Sequence, residues 1–161
     1  MDSIIAVVGT LLGVTVAGLF QHQAAARTER ATRAAELRLQ RLNALTELAG
    51  RISAHRQAMY KRGDARLKGK GDARIEELRE VSHATRIEVT EPLARVRILI
   101  QDPHLRAAAD AMVDATFGMR RADGTTDAEL TREGLTAARA AAAEAHDRFV
   151  DVAADYLATA N

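Results

Sequence analysis

At 161 residues the chain has room for one domain and a tether, and the absence of cysteine and tryptophan excludes disulfide frameworks, thiolate metal sites and thiol nucleophiles. Abundant alanine, cations carried mostly by arginine, and only two prolines favour long helices over sheets. The formal net charge of +1 hides an asymmetry, with 12 Lys/Arg against 4 Asp/Glu from Gln21 to Lys70 and 11 against 17 from Gly71 to Asn161. Such an imbalance points either to charged partners or to basic and acidic helices lying side by side in an antiparallel bundle.

The first element is apolar. Ile4 to Phe20 has no charged residue, and the uncharged run extends from Ser3 to Ala26, where roughly 20 residues suffice to cross a bilayer. Only Asp2 precedes it, whereas a cleavable signal opens with positive charge. Thr10 and Thr15 alone interrupt it, too few for the polar stripe of a helix packed in a soluble core. Residues 1–26 therefore read as a transmembrane anchor. The juxtamembrane basic residues Arg27, Arg30 and Arg33 predict a single-pass inner-membrane protein with its N-terminus outside and 27–161 as a cytoplasmic helical bundle. Gly9, Gly13 and Ala17 recur every fourth position, which suits an anchor dimer face and a homo-oligomer, although glycine is frequent in spanning helices in any case.

Beyond the anchor, Leu39, Leu42, Leu45, Ala49, Ile52 and Met59 mark a buried stripe on a helix that starts inside the membrane. Glycines 63, 69 and 71 among charges predict a loop over 62–71. A second helix opens near Asp72 and carries Ile75, Leu78, Ser82, Thr85 and Val89 on one face, until Pro92 kinks or breaks it ahead of Leu93, Val96, Leu99 and Ile100. Asp102 and Pro103 form a cap and first helical residue for a third helix reaching about Arg121, with Leu105, Ala109, Met112 and Phe117 inside. After a turn at 122–126, Thr126 or Asp127 caps a fourth helix whose coiled-coil-like seam runs through Leu135, Ala138, Ala142, Ala145, Phe149, Val152 and Tyr156. The fold class is all-α, a single N-terminal transmembrane helix continuing into an antiparallel three- to four-helix bundle, because short connections make consecutive helices neighbours.

Chemical motifs are wanting. The glycine-lysine segment at 63–71 has five residues between Gly63 and Gly69 where a phosphate-binding loop has four, and no Ser or Thr follows. His22, His55, His83, His104 and His146 show no paired ligand spacing, and His146 beside Asp147 implies no relay, since adjacent helix residues point apart. The sequence thus predicts no enzyme, no catalytic or metal-binding residue and no cofactor. Lys61, Arg62, Arg66, Lys68 and Lys70 are the candidate partner-binding loop, suited to an acidic protein or to nucleic acid, or else to a turn kept soluble by its charge. No aromatic residue sits among these cations to stack on bases.

The opening "MDSIIAVVGTLLGVTVAGLFQ", the Arg/Glu-rich helix after it and the later "RILIQDPHLRAAADA" resemble the small actinobacterial KilB proteins associated with plasmid spread in Streptomyces. The resemblance implies a membrane-associated accessory protein in DNA transfer or intramycelial spread, and it carries over no active-site residue. Two functions follow for testing: a membrane-tethered, non-enzymatic scaffold for an unknown protein partner, and a membrane-linked nucleic-acid binder acting through the 61–70 loop.

Overall fold

The computed structural model describes residues 2–122 and 129–159, with side chains from Arg27 onward. Five α-helices follow one another: α1 (Asp2–Leu67), α2 (Asp72–Ile87), α3 (Thr90–Leu99), α4 (Pro103–Gly118) and α5 (Arg132–Thr159), with a 3-10 turn at Met119–Ala122 between the last two. The described residues are all-helical, without a strand. Residues 1–39 and 40–161 form two compact units.

The membrane part of the expected architecture is corrected. Among the described residues no helix is long and apolar enough to cross a membrane, so neither a transmembrane helix nor a single-pass inner-membrane placement stands. The physical reason lies in α1, which from Arg27 carries charge at nearly every turn where a span needs roughly 20 apolar residues in succession. The side chains of Gly9, Gly13 and Ala17 lie outside the described residues. In the first unit, Arg27, Arg30 and Arg33 are exposed on α1, and Arg33 pairs with Glu29 one turn away.

The second unit is the bundle. Successive contacts show α5 running antiparallel to α1: Arg41 stands over the Tyr156 ring, Ser53 Oγ meets His146, Arg56 donates to the Ala142 carbonyl, and Arg132 pairs with Asp64. The same test makes α2 and α3 antiparallel to α1, through Arg62 to Ser82, His55 to Thr85, Arg51 to Glu88 and Arg95 to Glu47. The core gathers Leu48, Ile52, Val96, Ile100, Leu105, Met112 and Phe149. Each large side chain fully removed from water stabilises the fold by about 1.5–3 kcal/mol.

Local chemistry sets most helix ends. The Asp102 side chain accepts a hydrogen bond from the Leu105 amide at 2.8 Å with Pro103 at the first helical position, as the sequence predicts. Two helix ends differ from expectation. α1 continues through Gly63, which is buried, and stops only at Gly69, where φ is +60° and the Gly69 and Lys70 amides donate to the Arg66 and Ala65 carbonyls. This paired arrangement closes a helix on a left-handed residue, a conformation glycine adopts without steric penalty. The expected caps Thr126 and Asp127 lie outside the described residues. Thr131 caps α5 instead, its hydroxyl accepting from the Gly134 amide at 3.0 Å. Pro92 offers no N–H to the Glu88 carbonyl, and the helical ladder is interrupted at Glu88 and Val89 while both keep helical dihedrals. Leu39 and Leu42, expected inside, are exposed, and burial on α1 begins at Ala44 and Leu45, just past the level where Tyr156 near the end of α5 meets Arg41.

Candidate functional site

The five cations expected on one loop are dispersed by the helix that continues through them. Lys61, Lys68 and Lys70 line a shallow pocket of about 380 Å³ with Arg74, while Lys68 is ion-paired with Asp64 at 2.7 Å. The carboxyl of Asp64 is held below the usual carboxylate range by hydrogen bonds from Lys68 and then from Arg132. Arg66 is half-buried. Arg62 points the other way, is 3% exposed, and donates to Ser82 Oγ at 2.9 Å.

Arg62 belongs to a buried polar cluster where α1, α2 and α4 meet. His55 is 2% exposed, and its Nδ1 lies 3.0 Å from Thr85 Oγ1. The Thr85 hydroxyl also lies 3.1 Å from the Val81 carbonyl and 3.2 Å from the Ser82 carbonyl. The ring packs edge-on against Phe117 at 5.3 Å between centroids. Burial, then the Arg86 and Arg62 guanidinium groups, push the His55 pKa from 6.5 down to about 4, so the imidazole is neutral at physiological pH.

Besides the Lys61 pocket, two larger concavities are lined by described residues of the bundle. One is a cleft of about 650 Å³ walled by Arg86, Asp114, Phe117, Gly118, Arg120 and Arg121. The other, of about 540 Å³, lies between α1 and α3, where Ala94, Ile98 and Leu99 give it apolar walls and Gln40, Asn43, Glu91 and Arg95 a polar rim. Ile98 is 73% exposed, and Leu42, next to Asn43 on α1, is 41% exposed. Asn43 and Met59 are separated by roughly 24 Å of helix, so the groove and the polar cluster occupy different levels of the bundle.

Ser53, His146 and Asp147 do come into line, contrary to the sequence reading of His146. Ser53 Oγ is 3.2 Å from His146 Nε2, and His146 Nδ1 is 3.2 Å from Asp147 Oδ1. The order matches a nucleophilic triad, but the surroundings do not. Both Ser53 and His146 sit inside helices, whose amides are used in the helical ladder and leave no oxyanion donors. Neither concavity is lined by either residue.

Sequence reasoning passed over Arg86, Phe117, Arg120 and Arg121 as a group. They come from α2, α4 and the 3-10 turn, and only the adjacent arginines after Phe117 offered a linear signal.

A family model described as KilB plasmid transfer protein matches residues 42–157. The chain belongs to the KilB family. Protein KilB of Streptomyces lividans is 40% identical over 150 residues, which make up 92% of this chain and 98% of that protein. No solved structure matches the chain. The span matched by the KilB family model contains the whole Arg86 cleft, the His55 cluster and all of the groove lining except Gln40.

Proposed function

We propose that this KilB-family chain is a non-enzymatic helical scaffold in plasmid transfer or spread, and that it self-associates through the groove between α1 and α3. The observation carrying this reading is the 73% exposure of Ile98 in that groove, in a bundle whose neighbouring Leu45, Val96 and Ile100 are buried. Isolated exposed apolar residues are ordinary, but one that lines a concavity continuous with the apolar Ala94 and Leu99 forms a docking surface. A second copy suits the rim, because Arg95 is held between Glu47 and Glu91 and both signs of charge are therefore available to their counterparts across a two-fold axis. The alanine-rich seam adds a reason, since each alanine removes little apolar area from water.

Sedimentation of the full chain over a concentration series tests it. A dimer that dissociates in Ile98→Asp supports the reading, and a monomer throughout, or a dimer indifferent to the substitution, overturns it. Nucleic-acid contact is the second reading, favoured by the convergence of Lys61, Lys68, Lys70 and Arg74 on one pocket. Salt-dependent retention of DNA that is weakened by Lys70→Gln supports it.

A further inference from the structure

We propose that two copies of this chain join as an antiparallel helix pair, in which Ile87 of one copy packs on Ile98 of the other across a two-fold axis. The inference rests on the self-association reading above and adds its contact face and its direction. Ile98 and Ile87 are 73% and 72% exposed, more than any other large apolar side chain among the described residues. They stand about three helical turns apart. The path between them stays helical, since Glu88 and Val89 at the junction of α2 and α3 both keep right-handed helical dihedrals.

Both isoleucines belong to one stripe. Ala84, Ile87, Glu91, Ala94 and Ile98 follow one another in alternating three- and four-residue steps, the spacing of a helix-pairing seam, and all five are exposed. Ser82, Val89 and Val96, on the opposite side of the same helical path, are buried in the bundle. One face of α2 and α3 thus seals the fold, and the other repeats the pattern facing outward. Glu91, Ala94 and Ile98 also line the groove, with Gln40 and Asn43 of α1 across from them, so a helix laid along the stripe has a wall beside it.

Charge placement selects the occupant and its direction. With Ile87 on Ile98, antiparallel pairing sets Glu91 on Ala94 and brings Glu88 of each copy beside Arg95 of the other, so opposite charges meet twice on the flanks. Parallel pairing instead sets Glu91 against Glu91 in the middle of the seam, where like charges repel. These side chains already have partners in their own chain, Glu88 with Arg51 and Arg95 with Glu47 and Glu91. All of those pairs lie at the surface, and the dimer extends them into networks that fix orientation more than they add attraction. A stripe complementary to its own reverse fits a second copy of itself.

Because the chain contains no cysteine, single substitutions report the pairing. Full chains carrying Ile87→Cys and Ile98→Cys are oxidised separately and as an equal mixture, and the linked dimer is measured without reductant. A disulfide needs Cα atoms within about 7 Å, whereas antiparallel pairing leaves the same position of two copies roughly 16 Å apart along the axis. The mixture should therefore give at least about fivefold more linked dimer than either variant alone. Equal linkage in the single variants, or none in the mixture while sedimentation still shows a dimer, overturns the antiparallel contact and leaves self-association standing. An unmodified chain that sediments as a monomer overturns both and leaves the stripe to a different protein. Where the cysteine variants no longer dimerise, charge reversal decides: Glu88→Arg should weaken the dimer about fivefold and adding Arg95→Glu should restore it, while weakening without restoration overturns the pairing.

Discussion

Around Phe149 the bundle buries hydrocarbon alone, with Leu48, Ile52, Ile100, Leu105 and Met112 all under 2% exposed. Farther along α1, at the level of Met59 and Met119, it buries His55, Arg62, Ser82 and Thr116 as well. Both regions are built from helices with the same three- and four-residue spacing, so periodicity does not separate them. Their energetics do. The dry region is held by area removed from water, which is indifferent to proton activity. The polar region holds only while its donors and acceptors satisfy one another and its imidazole stays neutral.

The widest effect should come from breaking the dry region. Phe149→Ala removes a fully buried ring and should lower unfolding free energy by about 3–5 kcal/mol in urea titrations. If that substitution costs under about 1 kcal/mol, the contrast between the regions is lost.

Acidification probes the polar region. The folded-state pKa of His55 lies near 4, below its ordinary 6.5, so the unfolded chain takes up a proton that the folded chain refuses. The contribution is therefore fully present above pH 6.5 and is lost as pH falls toward 4, to a total on the order of 3 kcal/mol. Urea midpoints at neutral and acid pH should show this loss, and His55→Gln should flatten it.

A smaller change of opposite sign sharpens the comparison. Thr116 is 0% exposed, and its hydroxyl has no hydrogen-bond partner among the described residues, so Thr116→Val should raise stability by about 1 kcal/mol. At the surface, the Arg51–Glu88 pair at 2.8 Å is about half exposed on both sides. A double-mutant cycle there should return a coupling below about 1 kcal/mol that fades with salt.

Much of the bundle was legible in the chain. Asp102 before Pro103 marked the start of α4, Asp72 the start of α2, and Leu135, Ala142 and Phe149 the inner face of α5. Gly63 misled because glycine weakens a helix by only about 1 kcal/mol, an amount that tertiary packing overrides at a buried position. Leu39 and Leu42 misled because their spacing continues a buried stripe past the place where the bundle covers it. Of the Arg86 cleft almost nothing was visible, since Arg86 and Phe117 are brought together only when α2 and α4 fold against the same stretch of α1.

The antiparallel pairing of α1 with α5 also bears on biosynthesis. Ser53 meets a partner 93 positions later in the chain, so the ribosome must release most of the C-terminal helix before Phe149 can seat. Until then the nascent chain displays the inner face of α1, including Leu48 and Ile52, to chaperones, and a message truncated before α5 would yield a product marked for degradation.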